Sequence, residues 1–182
     1  MTSSQSELDR ARELHRGGAV DAARQIYEEI LESNPANAEA LHLLGVAALQ
    51  MGDPERAEDL IGRAIEIDES DARFHNNLGE ARRTRGVIQG ALTSYRAARA
   101  LNLDFAQAIN NEGAALMALG HPEEAAHCFH DAISADQSYI QAHLNLGLAL
   151  HAHGDLHGAL KALAAARALD PDNLILLQSY AM

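Results

Sequence analysis

Asn77, Asn111 and Asn145 recur along the chain, each 34 residues after the last. A primary amide donates and accepts hydrogen bonds at once, so a row of them can match the C=O and N–H groups of another chain's backbone. Asn76, Asn110, Gln107 and Gln141 lie beside this row in sequence, and Arg73 and Arg83 flank its start. A guanidinium at one end of such a row is suited to anchoring an acidic group. This is the chemistry of recognition rather than of reaction. The glycines are isolated and build no phosphate-cradling loop, and neither a G-x-S-x-G motif nor a nucleophile–histidine pattern is present. No catalytic residue and no enzymatic activity are therefore expected. His127 and His130 stand one helical turn apart with Cys128 between them, which is half of a metal site. No spacing fixes a third ligand, so no metal or cofactor is expected either.

The elements that must hold the amides share their beat. Gly18, Gly52, Gly86, Gly120 and Gly154 stand 34 residues apart, and each is followed five residues later by an alanine: Ala23, Ala57, Ala91, Ala125 and Ala159. A period of this length fits one helical hairpin per repeat. In the second repeat Leu41, Leu44, Gly45 and Ala48 fall on one helical face. Gly52 ends that helix by permitting a left-handed cap. Asp53 then caps the next helix, with Pro54 and Glu55 in its first turn. Ala57, Ile61 and Ala64 form the second helix's buried stripe.

Leu44-Gly45, Gly52 and Ala57, with their counterparts Leu78-Gly79, Gly86, Ala91 and Tyr95, and Leu146-Gly147, Gly154 and Ala159, resemble the tetratricopeptide repeat. The resemblance implies an all-α, right-handed superhelical solenoid of five helix-turn-helix repeats: 4–37, 38–71, 72–105, 106–139 and 140–173. Residues 1–3 are expected to be disordered. Residues 174–182 restart the first-helix pattern, as a capping helix or the opening of a sixth repeat. Leu174 to Leu177 are four consecutive apolar residues, so one helix cannot bury them all, and self-association through this end is expected.

The resemblance also gives the amide row a place. In tetratricopeptide arrays the free face of each first helix lines a concave groove, and an asparagine ladder there is similar to that of O-linked N-acetylglucosamine transferases. Helices pack about 8–10 Å apart and an extended strand advances about 3.3 Å per residue, so one rung should meet every third residue of a bound strand. Asp9 and Leu43 break the column. Chaperone-binding members use Lys and Arg beside such asparagines. Asn76, Glu80 and Gln141 stand there instead, which argues against a chaperone tail as ligand. The family implies a protein-binding scaffold. Alternatively the chain is the targeting segment of a longer enzyme, such as a glycosyltransferase or sulfotransferase.

Composition narrows the partners. The net charge is -12, a field that repels nucleic acid. No apolar run is long enough to span a membrane or to serve as a secretory signal, and the lone Cys128 excludes an internal disulfide, so a cytoplasmic location is expected. Arg supplies every basic residue except Lys161, a usage expected of a GC-rich, bacterial genome. Charge is uneven: repeat two is strongly acidic, repeat three carries six arginines (73, 82, 83, 85, 96 and 99), and repeat four is acidic again. That pattern suggests an acidic ligand at Arg73 and Arg83, or self-assembly through unlike charges. Arg82 and Glu112 stand in otherwise apolar columns in adjacent repeats, so they are expected to pair. Gly79 is expected to mark a close helix approach.

Overall fold

The computed structural model describes residues 3–171, with side chains from Gln5 onward. Ten α-helices and no strand occur among them: α1 (Ser3–Arg16), α2 (Val20–Ser33), α3 (Ala38–Gln50), α4 (Pro54–Ile67), α5 (Ala72–Thr84), α6 (Ile88–Leu101), α7 (Ala106–Ala118), α8 (Pro122–Ala135), α9 (Ile140–His153) and α10 (Leu156–Leu169). Their bounds follow the 34-residue beat, and α1 already begins at Ser3. The segment 174–182 lies outside the described residues, as does its expected role in self-association. The chain divides into two compact units, Met1–Val87 and Ile88–Met182.

Within the N-terminal unit each helix from α1 to α4 packs on its successor, and α3 also touches α5. The C-terminal unit repeats the arrangement from α6 to α10, with α7 touching α9. First helices therefore lie side by side within a unit. No described helix is long and apolar enough to cross a membrane.

The recurring turn explains the glycine column. Gly18, Gly52, Gly86, Gly120 and Gly154 all have φ between +79° and +95°, a conformation that costs an L side chain roughly 1–2 kcal/mol. The residue after each glycine closes the turn onto the carbonyl five residues back: Ala19 to Leu14, Asp53 to Ala48, Val87 to Arg82, His121 to Leu116 and Asp155 to Leu150, at 2.8–3.0 Å. These bonds satisfy carbonyls that the helix end leaves open. Asp53 Oδ1 accepts the Arg56 N–H at 3.1 Å, the N-cap that its position after the glycine predicts.

The core is built from the columns read in the sequence. Leu41, Leu44, Ala48, Ala57, Ile61 and Ala64 are all buried. A second glycine column lets the two helices of a hairpin approach. A Cβ on Gly45 would stand 2.6 Å from Ile61 Cγ1, one on Gly113 2.6 Å from Phe129 Cε1, and one on Gly147 2.8 Å from Leu163 Cγ. Gly79 shares this column and is buried.

The two charged residues in apolar columns each have partners within their own unit. Arg82 Nε donates to Glu58 at 2.9 Å. Glu112, 6% exposed, accepts from Arg96 Nε at 3.1 Å and from Arg99 at 3.2 Å. The buried Glu112 is thus neutralised inside its own unit by arginines reaching in from a rim, and the half-buried Arg82 by Glu58.

Candidate functional site

Adjacent positions on α5 and α7 aim two amides in different directions from the first helices. Asn77, Asn111 and Asn145 are half-buried on the first-helix face. Asn76 and Asn110 lie one residue earlier, turned inward and only 2% and 4% exposed, so they stand behind the row and not at a ligand's surface. Their column contains Leu8, His42 and Leu144, all buried. Gln107 and Gln141 are exposed.

The structure joins rung to support in the same way in both units. In the N-terminal unit Asn77 Nδ2 donates to His42 Nε2 at 2.8 Å, and Asn77 Oδ1 accepts from Asn76 Nδ2 at 3.1 Å. In the C-terminal unit Asn145 Nδ2 donates to Asn110 Oδ1 at 2.9 Å, and Asn145 Oδ1 accepts from Gln141 Nε2 at 2.9 Å. Asn77 and Asn145 therefore each spend one donor and one acceptor internally, and the amide inventory leaves each of these two one of each. The orientation of Asn77 and of Asn145 is set by a buried partner 35 residues earlier in the chain. It follows that the asparagines also hold the stack together. Truncating Asn77 or Asn145 strands a buried acceptor, at a cost of about 1–3 kcal/mol, so a fold left intact by such truncation is not expected.

His42 is the unusual member. It is 3% exposed, its ring packs 4.5 Å from that of Phe74, and its Nδ1 has no hydrogen-bond partner. Because Nε2 accepts from Asn77, the ring proton sits on Nδ1. Burial pushes the imidazole pKa down to about 4, outweighing the nearby Glu39. The support for Asn77 is thus an uncharged acceptor at neutral pH.

The arginines are less available than their sequence positions suggest. Arg73 lies between Asp71 and Glu39, with Nη2 2.9 Å from Glu39 Oε2. Burial opposes ionisation of Asp71, yet the side-chain and backbone hydrogen bonds of Arg73 hold its carboxyl below the usual range. Arg83 Nη2 bonds Glu80 Oε2 at 2.8 Å. The other four arginines of repeat three also meet carboxylates: Arg82 meets Glu58, Arg85 meets Glu55 and Glu58, Arg96 meets Glu112, and Arg99 meets Glu112 and Asp131. The basic stripe is matched by the acidic residues around it.

Two depressions adjoin the rows. One of about 480 Å³ opens on the first-helix face of the N-terminal unit and is lined by Arg12, His15, Arg16, Leu43, Gln50 and Arg73 among others. A smaller one of about 140 Å³ lies beside Asn145, against Met117, Phe129 and Leu148. The sequence reading missed Arg12, His15, Arg16 and Gln50. The break of the amide column at Leu43 was the available signal. The histidines assemble no metal site: among the described residues no three His, Cys, Asp or Glu side chains are grouped to hold an ion. Cys128 is buried, and burial pushes its thiol up to about 11, which leaves it unreactive.

Comparison with known proteins agrees with this architecture. Two family models, each described as tetratricopeptide repeat, match residues 14–80 and 110–173, together more than two thirds of the chain. A probable UDP-N-acetylglucosamine–peptide N-acetylglucosaminyltransferase SPINDLY of Hordeum vulgare is 28% identical over 133 residues, which is 69% of this chain but 14% of that protein. The chain thus spans about a seventh of that relative's length. The crystal structure of MamA superposes with a TM-score of 0.78 at 25% identity over 92% of both chains. That of YrrB, described as a TPR protein with an unusual peptide-binding site, superposes with 0.78 at 21% identity over 97% of this chain and 91% of that one. With the glycine turns, the hairpin packing and both matched regions pointing to one repeat, the chain belongs to the tetratricopeptide repeat family.

Proposed function

We propose that this chain is a protein-binding scaffold that holds an extended peptide against the first-helix face, with Asn77, Asn111 and Asn145 reading backbone amides. The observation that carries this reading is the shared set of the two rungs described above. Asn77 and Asn145 are both held by a buried partner, and each keeps one donor and one acceptor. An extended strand offers that pair. A rung contributes about 0.5–1.5 kcal/mol net, so the amides give sequence-tolerant binding. Selectivity falls to flanking groups such as Gln107 and Gln141. Arg73 and Arg83 serve an acidic ligand only if it displaces their internal carboxylates, which makes them secondary. YrrB, whose description names a peptide-binding site, offers a parallel for this use of the fold.

The test is selection of short displayed peptides against the chain, followed by backbone NMR mapping with a selected peptide. Shifts confined to α3, α5, α7 and α9, with affinity lost in the Asn77→Ala, Asn111→Ala, Asn145→Ala triple variant, support the reading. Because the variant is destabilised, its helicity is checked at the titration temperature. Shifts on the second helices, or unchanged affinity in the folded triple variant, end the reading.

The similarity to a glycosyltransferase relative favours a second reading, in which the same face presents protein substrates to an enzyme domain of a longer polypeptide. An in-frame catalytic domain in the full reading frame is the observation that decides for it.

A further inference from the structure

The 480 Å³ cavity of the N-terminal unit has the volume of a site that takes a ligand group, and its chemistry differs from that of the amide rows. Its floor is apolar. Leu43 stands where repeats three to five carry asparagine, and Val46 lies one turn along α3. At this point the face has lost its backbone-reading group and gained a surface suited to a side chain.

The walls are fixed. Tyr27 is fully buried, and its hydroxyl lies 3.3 Å from His15 Nδ1, while His15 Nε2 lies 3.1 Å from Gln50 Oε1. Both ring nitrogens are engaged, so the imidazole is a braced wall.

The sign of the available charge follows from the ion pairs. Among the described residues Glu39 is the only carboxylate lining the cavity, and each of its oxygens pairs with an arginine: Oε1 accepts from Arg12 at 2.8 Å and Oε2 from Arg73 at 2.9 Å. Arg12 is held further by Asp9, and Arg73 by Asp71. Arg16 has no carboxylate within ion-pair distance among the described residues, and its Nε reaches only the Arg12 carbonyl, at 3.4 Å. The one unmatched charge facing the cavity is therefore positive, in a chain whose net charge is -12. A cationic ligand finds no open carboxylate here, whereas an anionic one finds a guanidinium.

We propose that this cavity is the anchor site for the bound segment, taking an apolar side chain over Leu43 and Val46 while an adjacent Asp or Glu side chain of the segment pairs with Arg16. This rests on the peptide-binding reading and names the class of sequence it selects. The amide rows tolerate any sequence, and the cavity sets the register.

The experiment uses a selected peptide resynthesised with both termini blocked, so that only side-chain carboxylates are present. It is titrated by fluorescence anisotropy against wild type, Arg16→Glu and Leu43→Asn. Arg16 is exposed and the asparagine column accepts Asn, so both variants should fold. Selected peptides should share an apolar residue next to Asp or Glu. Arg16→Glu should weaken the acidic peptide about fivefold or more at low salt, and a Glu→Lys peptide should recover affinity for that variant. Leu43→Asn should weaken the peptides in proportion to the size of the apolar residue. Equal effects of Arg16→Glu on acidic and glutamine-substituted peptides overturn the proposal, as does binding that requires a free terminal carboxylate. If affinity survives both variants while the NMR shifts remain on the first helices, the anchor is lost and the peptide-binding reading stands. Shifts elsewhere remove both.

Discussion

Replacing His42 by Leu should make the N-terminal unit less sensitive to acid while leaving its stability at neutral pH nearly unchanged. The native imidazole is held down to about 4 by burial, against an ordinary value of 6.5. Glu39 and Asp71 pull the value up, whereas Arg73 and Arg12 pull it down. The unfolded chain therefore binds a proton that the folded chain refuses, and stability falls as pH drops from about 6.5 toward 4. The full gap is worth roughly 3 kcal/mol, and about 2 kcal/mol of it is reached by about pH 5. At neutral pH both states are largely uncharged, so the linkage nearly vanishes. His42→Leu then exchanges the Asn77 hydrogen bond, worth about 1 kcal/mol net, for relief of the unpartnered Nδ1. Leu8 and Leu144 already occupy this column, so leucine fits the packing, and the net change should be within about 1 kcal/mol. The assay is urea unfolding of wild type and His42→Leu at about pH 7.5 and about pH 5. Carboxylates titrate alike in both proteins and cancel in the comparison. Wild type should lose about 2 kcal/mol more than the variant between the two conditions. Equal losses would refute the buried, uncharged imidazole. So would a His42 ring resonance that titrates near pH 6.5.

A Cβ placed on Gly113 meets the Phe129 ring, which is itself 1% exposed and flat, whereas on Gly147 it meets a leucine that can change rotamer. Gly113→Ala should cost about 1–3 kcal/mol and more than Gly147→Ala, read by thermal unfolding of each variant, and the reverse order would contradict the packing. Glu112→Leu restores the residue type of Leu44, Leu78 and Leu146 and lets Arg96 and Arg99, with side chains 51% and 31% exposed, turn to water or to Asp131. Its stability should match or exceed wild type by about 1 kcal/mol, whereas Glu112→Ala should destabilise; a Leu variant weaker than the Ala variant would show that the buried ion pair is needed.

The repeat period made the hairpins, their glycine turns and most of the core legible in the sequence, because each column imposes one packing requirement on five residues at once. Asn76 and Asn77 show where that legibility stops. Adjacent residues on a helix point about 100° apart, so the two amides look alike in sequence, yet one is buried and the other half-exposed on the first-helix face. His42 was invisible as a support for the row, since it stands in the preceding repeat and only the stack brings it to Asn77. Leu43 was read as a break in the row, while its meaning as the floor of a cavity required Arg12 and Arg16 of α1 to be placed beside it.

The charge pattern carries the more general lesson. Acidic and basic repeats in alternation look like surfaces waiting for partners. In a solenoid, however, residues 34 apart are neighbours across a repeat interface, so a change of sign from one repeat to the next is what inter-repeat ion pairs require. Glu39 with Arg73 is the direct case, at 34 residues' separation. Glu58 with Arg82 and Arg85, and Arg99 with Asp131, extend it. Such pairs are partly exposed, so each contributes little stability, but each removes an arginine from the surface a partner could use. On the proposed face, the groups described above that the interfaces do not consume are the outward halves of Asn77 and Asn145 and the guanidinium of Arg16. A sequence search for binding residues in a repeat protein should first cancel every charge against its neighbour one period away, and only then ask what remains.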